Sequence, residues 1–276
     1  MKELNKSLSI IESEMQSYNP PTHLLSKMNE TVPKGTEILS YIMEGGEAGG
    51  YHRWLALLVR NLKLKNILEL GNREGASTIL LYSELLSDGT LITVDNVHDQ
   101  RFIPDVMWKD PKVRFVFGDC LDLNSYQGNL PKNIDLLFLD TIHTYEQVSD
   151  EFSIYENFLS DDALIVIDDI HLNDKGIFFD NSPYEKFDLT SICHVSGFGL
   201  IHYVRKNKMN EDQLNFKAAL ASASIWKRKA DYLEATQLSN MPQKKGVNPI
   251  RKFIWRFRPI YHPVRVWLKS KTLPKV

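Results

Sequence analysis

Three carboxylates stand at the ends of two apolar runs. Asp140 closes IDLLFLD (134–140), and the pair Asp168-Asp169 closes ALIVIDD (163–169). If those runs are adjacent strands, the three acids meet at one edge of a sheet. Like charges that close disfavour one another's ionised form unless a proton or a cation compensates. An all-oxygen carboxylate cluster with room for water suits Mg²⁺, Mn²⁺ or Ca²⁺. His143 follows Asp140 by three residues and is placed to act as a general base, since an imidazole titrates near neutrality. His171 is expected beside the cluster rather than on the ion. The competing reading is that Asp168 or Asp169 caps the next segment while Asp140 only orients a bound cofactor.

A second group lies upstream, in Glu69-Leu70-Gly71-Asn72-Arg73-Glu74-Gly75-Ala76-Ser77, where an apolar run meets a helical one. Gly71 permits a tight turn, and a helix starting near Gly75 presents free N–H groups to an anion. The spacing is G-x-x-x-G. The middle glycine of the G-x-G-x-x-G dinucleotide fingerprint is missing, which argues against NAD chemistry. The alternative is a simple packing turn. Asp95, at the end of LITVD, is positioned to accept ribose hydroxyls or to cap a helix. Asp119 follows the run VRFVF and is read either as a partner for an adenine amino group or as an ordinary loop acid.

The elements that must position these residues alternate strand and helix. NILEL (66–70), LITVD (91–95), VRFVF (113–117), IDLLFLD and ALIVIDD read as five strands. ASTILLYSELL (76–86) and the face Val148, Phe152, Tyr155, Leu159 read as intervening helices. Thr144 and Gln147 supply a T-x-x-Q capping box before the latter. Strands this apolar are buried on both faces, as in a parallel sheet covered by helices. The expected fold is therefore α/β, a Rossmann-like, doubly wound, mostly parallel seven-stranded sheet. SICHV and GLIHYVRK are expected to close it as a hairpin through Ser196-Gly197-Phe198, after a connection over 172–189. Residues 1–50 read as an N-terminal helical and loop region that ends in Gly45–Gly50. Residues 51–208 read as the main domain, with a helix within 51–62. A helix is expected within 209–241, and a basic, aromatic tail over 242–276.

Taken together, the ordered motifs resemble those of the class I S-adenosylmethionine-dependent methyltransferases. They are most similar to the cation-dependent O-methyltransferases related to catechol and macrolide-sugar enzymes. The resemblance covers roughly residues 55–205. It implies that Glu69, Gly71, Gly75 and Ser77 bind the methionine part of S-adenosylmethionine, and that Asp95 takes the ribose. It also implies that Asp140, Asp168 and Asp169 hold the cation. Catechol-type members carry a lysine where this chain has His143. LDTIHTYEQV resembles the L-D-x-x-H-x-Y-E stretch of related bacterial members. The usual Gly-Gly before strand five is replaced by Ser160-Asp161-Asp162. The implied reaction is methylation of a hydroxyl on a sugar, glycan or other small molecule. The rivals are metal-independent transfer to nitrogen, protein or RNA, and a non-catalytic protein of the same fold. No N/D-P-P-Y motif of amino methyltransferases follows strand four.

The net charge of −2 conceals a polarity. Lys244–Val276 holds ten Lys or Arg and no acid, leaving 23 basic residues against 35 acidic ones ahead of it. Ile250, Phe253, Ile254 and Phe257 fall at helical spacing among those charges. An anionic membrane surface is the expected partner of 244–276, with docking on the acidic body or a second subunit as the alternative and nucleic acid disfavoured. Cys120 and Cys193 form no metal-binding spacing. The N-terminus reads as no secretory signal, so a cytoplasmic protein is expected, peripheral at the inner membrane face if the tail binds lipid. The oligomeric state is open.

Overall fold

The computed structural model describes residues 2–15, 17–31, 51–205, 212–216 and 219–220. The glycine-rich Gly45–Gly50, most of the expected helix in 209–241 and the basic tail lie outside the described residues.

Helix α1 (Lys2–Glu14) and α2 (Ser26–Thr31) precede α3 (Tyr51–Leu62). The Rossmann-like alternation follows as β1 (Asn66–Leu70), α4 (Ala76–Ser83), β2 (Thr90–Asp95), α5 (Asp105–Trp108), β3 (Val113–Phe117), β4 (Ile134–Leu139), α6 (Tyr145–Tyr155) and β5 (Leu159–Asp168). Helix α7 (Gly176–Asn181), β6 (Glu185–Asp188) and β7 (Phe198–Val204) complete it. One seven-stranded sheet has the order β3-β2-β1-β4-β5-β7-β6. Its first four pairings are parallel, while β7 runs antiparallel to both β5 and β6. The chain order reverses between β1 and β4, the switch point at which ligands of such sheets bind beyond the strand ends.

The strands are apolar throughout because each face has its own cover. Ile67, Leu136, Phe138, Leu164 and Val166 face a core shared with α1, α3 and α4. Leu68, Leu137, Leu139, Ile165 and Ile167 face the other, with α6, α7, Phe216 and Leu220. Thr144 caps α6 by accepting from the Gln147 N–H at 3.3 Å, one half of the expected capping box. The other half is absent: the Thr144 N–H donates to Ile142 O at 2.9 Å, and the Gln147 side-chain N–H donates to Glu151 at 2.8 Å. Val148, Phe152 and Tyr155 form the buried stripe of α6, and Phe152 meets Phe178 at 5.4 Å and Phe216 at 6.0 Å. Each such side chain contributes about 1.5–3 kcal/mol by leaving water.

Two expectations need correction. Helix α6 ends at Tyr155, and Leu159 opens β5 rather than extending the helical face. The hairpin partner of β7 is β6, drawn from the expected connection, with Asp188 opposite Gly199. The run SICHV forms a turn: Ile192 and Cys193 donate N–H groups to the Leu189 carbonyl, at 3.0 and 2.9 Å. Among the described residues no helix is long and apolar enough to cross a membrane.

Candidate active site

At the end of β1 the backbone stays tied to both neighbours. Gly71 N–H donates to Val94 O and Asp140 N–H to Leu70 O, each at 2.8 Å. The chain then turns sharply, with Gly71 at φ +87° and Gly75 at φ +96°. Gly75 caps α4 with no side-chain acceptor. The first N–H groups of α4 are thus left without the usual capping oxygen, an arrangement that favours an anion there.

The sequence-derived cofactor residues divide by direction. Asp95 faces the turn: its Oδ2 accepts from Asn72 N–H (2.9 Å) and Arg73 N–H (2.7 Å), and its Oδ1 from Val97 N–H (2.7 Å). Glu69 faces inward and is fully buried. It accepts from Ser77 Oγ (2.5 Å), Thr78 Oγ1 (2.6 Å) and Thr93 Oγ1 (2.6 Å). Glu69 and Ser77 therefore bind one another, clamping α4 onto β1 and β2. Burial pushes the Glu69 carboxyl up to about 7, against the pull of its three hydroxyl donors. Asp119 is exposed beyond β3, where its Oδ1 accepts from Leu121 N–H at 2.9 Å.

The three carboxylates fall into two overlapping groups that share Asp169. Leu139 pairs with Ile167 in the β4–β5 register, so the next residues, Asp140 and Asp168, emerge side by side. One donor atom each from Asp140, His143 and Asp169 lie within 4.8 Å of one another, and so do donors of Asp168, Asp169 and His194. His143 Nε2 stands 3.0 Å from Asp169 Oδ2. His194 Nε2 stands 2.5 Å from Asp168 Oδ1, both side chains almost wholly enclosed. Asp169 adopts φ +58°, an uncommon conformation for a residue with a Cβ. Burial and the neighbouring Asp168 push Asp140 well above the usual carboxylate range, with Lys175 opposing and Asp169 reinforcing the shift. His171 lies apart from this group, with Thr190 Oγ1 at 3.0 Å and Asp188 at 3.8 Å.

Three residues of the site were not singled out by sequence. Tyr51 opens α3, and its ring lies 5.1 Å from that of His194. Burial raises its hydroxyl well above the ordinary value, helped by the charges of Asp168, Asp140 and Asp169. His194 comes from the turn mistaken for a strand; burial lowers its pKa, but the hydrogen bond and charge of Asp168 outweigh that and raise it. Lys175 is fully buried and donates to Leu139 O at 3.1 Å, directly behind Asp140. Below it, Glu151 is buried among Thr141 (2.6 Å), Gln147 and Cys120, and burial raises its carboxyl too. A lone lysine in a polar connection carries no signal that marks it as buried.

Comparisons with known proteins agree with this architecture. Residues 68–170 match the family described as a methyltransferase domain. A methyltransferase of Podospora anserina, crystallised with S-adenosylhomocysteine, superposes with a TM-score of 0.52 at 16% identity, over 70% of this chain and 92% of that one. A putative caffeoyl-CoA O-methyltransferase from Staphylococcus aureus gives 0.51 at 18%, over 72% and 99%. The O-methyltransferase from Bacillus cereus, also with S-adenosylhomocysteine, gives 0.50 at 17%, over 71% and 97%. An uncharacterized protein of Acanthamoeba polyphaga mimivirus is 26% identical over 147 residues, 53% of this chain and 58% of that protein. The chain therefore spans little more than half the length of that curated relative. The strand order, the turn after β1 and the match over residues 68–170 converge: this stretch is similar to a methyltransferase domain, and the chain shares the fold of the solved methyltransferases.

Proposed function

We propose that this protein transfers the methyl group of S-adenosylmethionine to a hydroxyl oxygen of a sugar, glycan or other small molecule, assisted by a divalent cation. The observation that carries the reading is the convergence of Asp140, Asp168 and Asp169 with His143 beside the turn after β1. The Staphylococcus aureus and Bacillus cereus proteins of the same fold, one a putative caffeoyl-CoA O-methyltransferase and the other an O-methyltransferase, point the same way.

The donor set fits a cation. Asp140, His143 and Asp169 form one triad of donors and Asp168, Asp169 and His194 another, sharing Asp169, and within each the ligand atoms lie within 4.8 Å of one another. When bound, such an ion lowers the pKa of a coordinated hydroxyl and fixes its orientation. The chain's own residues supply the rest. The N-terminus of α4 receives the methionine carboxylate and Asp95 the ribose. His143, oriented by Asp169, removes the hydroxyl proton. The sulfonium methyl is already activated, so most of the acceleration comes from aligning the acceptor oxygen with it.

Titration calorimetry with S-adenosylhomocysteine, followed by transfer of labelled methyl to a panel of hydroxyl compounds with and without Mg²⁺ or Mn²⁺, tests this. Binding of the product and cation-stimulated transfer are expected. A protein that binds neither S-adenosylmethionine nor its product overturns the reading, and cation-indifferent transfer removes the cation alone.

A further inference from the structure

We infer that His194 is a ligand of the cation, and that the site therefore selects a first-row transition-metal dication such as Mn²⁺ over Mg²⁺. The inference rests on the cation reading above and adds an imidazole nitrogen to a set otherwise made of carboxylate oxygens.

The two histidines at the carboxylates are differently placed. The His143 side chain is 32% exposed, whereas that of His194 is 3% exposed. The accessible ring suits proton exchange with an acceptor. The enclosed ring does not, since an acceptor has no approach to it. His194 Nε2, hydrogen-bonded to Asp168 Oδ1 at 2.5 Å, lies within 4.8 Å of donors of both Asp168 and Asp169, so an ion bound there would replace the proton that the pair shares.

Its backbone is held for this position. The turn carrying it is closed by Leu189 N–H to Phe198 O (2.8 Å) and by Gly197 N–H to His194 O (3.2 Å). His171 N–H ties the same turn to the strand-five exit through Ser196 O at 2.8 Å. Gly197, at φ +99°, leaves no space for a side chain, since a Cβ would lie 2.7 Å from the His171 nitrogen. The His194 ring packs against Tyr51 at 5.1 Å and Phe198 at 5.8 Å, which removes its rotational freedom.

Ligand chemistry gives the metal preference. Mg²⁺ keeps oxygen ligands and gives up water reluctantly, while Mn²⁺, Fe²⁺ and Co²⁺ accept mixed carboxylate and imidazole sets.

The test loads the full chain with Mn²⁺ and reads electron spin-echo modulation from directly bound ¹⁴N, alongside Mn²⁺ affinity in competition with Mg²⁺. The wild type and His143→Gln are expected to show the nitrogen coupling, and Mg²⁺ to displace Mn²⁺ poorly. His194→Asn is expected to lose the coupling and bind Mn²⁺ about 10–100-fold more weakly. Mn²⁺ bound without nitrogen coupling in the wild type overturns the inference and leaves the cation reading standing. Absence of Mn²⁺ binding overturns both. Coupling lost in His143→Gln assigns the nitrogen to His143 and also overturns it. The wild-type and His143→Gln spectra decide the matter even if His194→Asn fails to fold.

Discussion

The carbonyl oxygen of Asp140 fills the space where a side chain on Gly71 would begin: a Cβ there would lie 1.9 Å from it. The glycine that starts the turn after β1 thus lets the ends of β1 and β4 close together, bringing the carboxylate cluster up to that turn. Gly71→Ala meets both this overlap and a φ of +87°, and the left-handed backbone alone costs about 1–2 kcal/mol. The expected result is a lower melting temperature together with weakened S-adenosylhomocysteine binding in calorimetry. Unchanged binding would show that the turn is not coupled to the strand-four exit.

Glu69 makes stability depend on pH in a direction opposite to that of an ion-paired acid. Its folded-state value, about 7, lies above the ordinary 4.5, so folding favours the protonated form. Its contribution is fully present below about pH 4.5 and is lost as pH rises through about 7, on the order of 3 kcal/mol in all. Denaturation curves for wild type and Glu69→Gln between pH 5 and 8 isolate it. The wild type should lose stability relative to the variant as pH rises through that window. Parallel curves would contradict the assignment.

How far these features were readable from sequence follows from burial. Strands β1 to β5 were legible because both their faces are covered, which leaves continuous apolar runs ending in acids at one sheet edge. The direction of Glu69 was not, since its spacing fits both a ligand contact and an inward clamp, and only the hydroxyls of Ser77, Thr78 and Thr93 decide between them. Strand β6 was missed because it pairs with β7 alone and alternates half-buried with exposed residues. SICHV reads as a strand because Cys193 is a core residue and Ile192 packs against the core, yet both reach it from a turn.

Asp169 is open to a clean test because its backbone limits what can replace it. At φ +58° asparagine is tolerated nearly as well as aspartate. Asp169→Asn therefore keeps the turn after β5 while removing the charge 3.0 Å from His143. Binding of S-adenosylhomocysteine should persist while the rate of methyl transfer falls about 100-fold or more. Combined with His143→Gln, the loss should be far less than the product of the two single losses, because residues acting as a unit are not additive. An unchanged rate in Asp169→Asn would remove Asp169 from the chemistry, and an unchanged rate in His143→Gln would remove His143.

The basic tail of residues 244–276 is separable from the catalytic question. It holds ten Lys or Arg and no Asp or Glu in sequence, with Phe253, Trp255, Phe257 and Trp267 among them. Near an anionic bilayer each Lys or Arg is worth about 1 kcal/mol, so a few engaged residues suffice for measurable binding. That polarity is the basis for proposing that the tail places the enzyme at a membrane surface. Full-length protein should pellet with liposomes containing anionic lipid but not with purely zwitterionic ones, and a chain ending at Gln243 should pellet with neither. A tail docked on the acidic body behaves differently: its removal lowers the melting temperature and leaves pelleting unchanged. Equal pelleting of the two chains therefore rejects the membrane proposal, and the accompanying melting curves show whether docking takes its place.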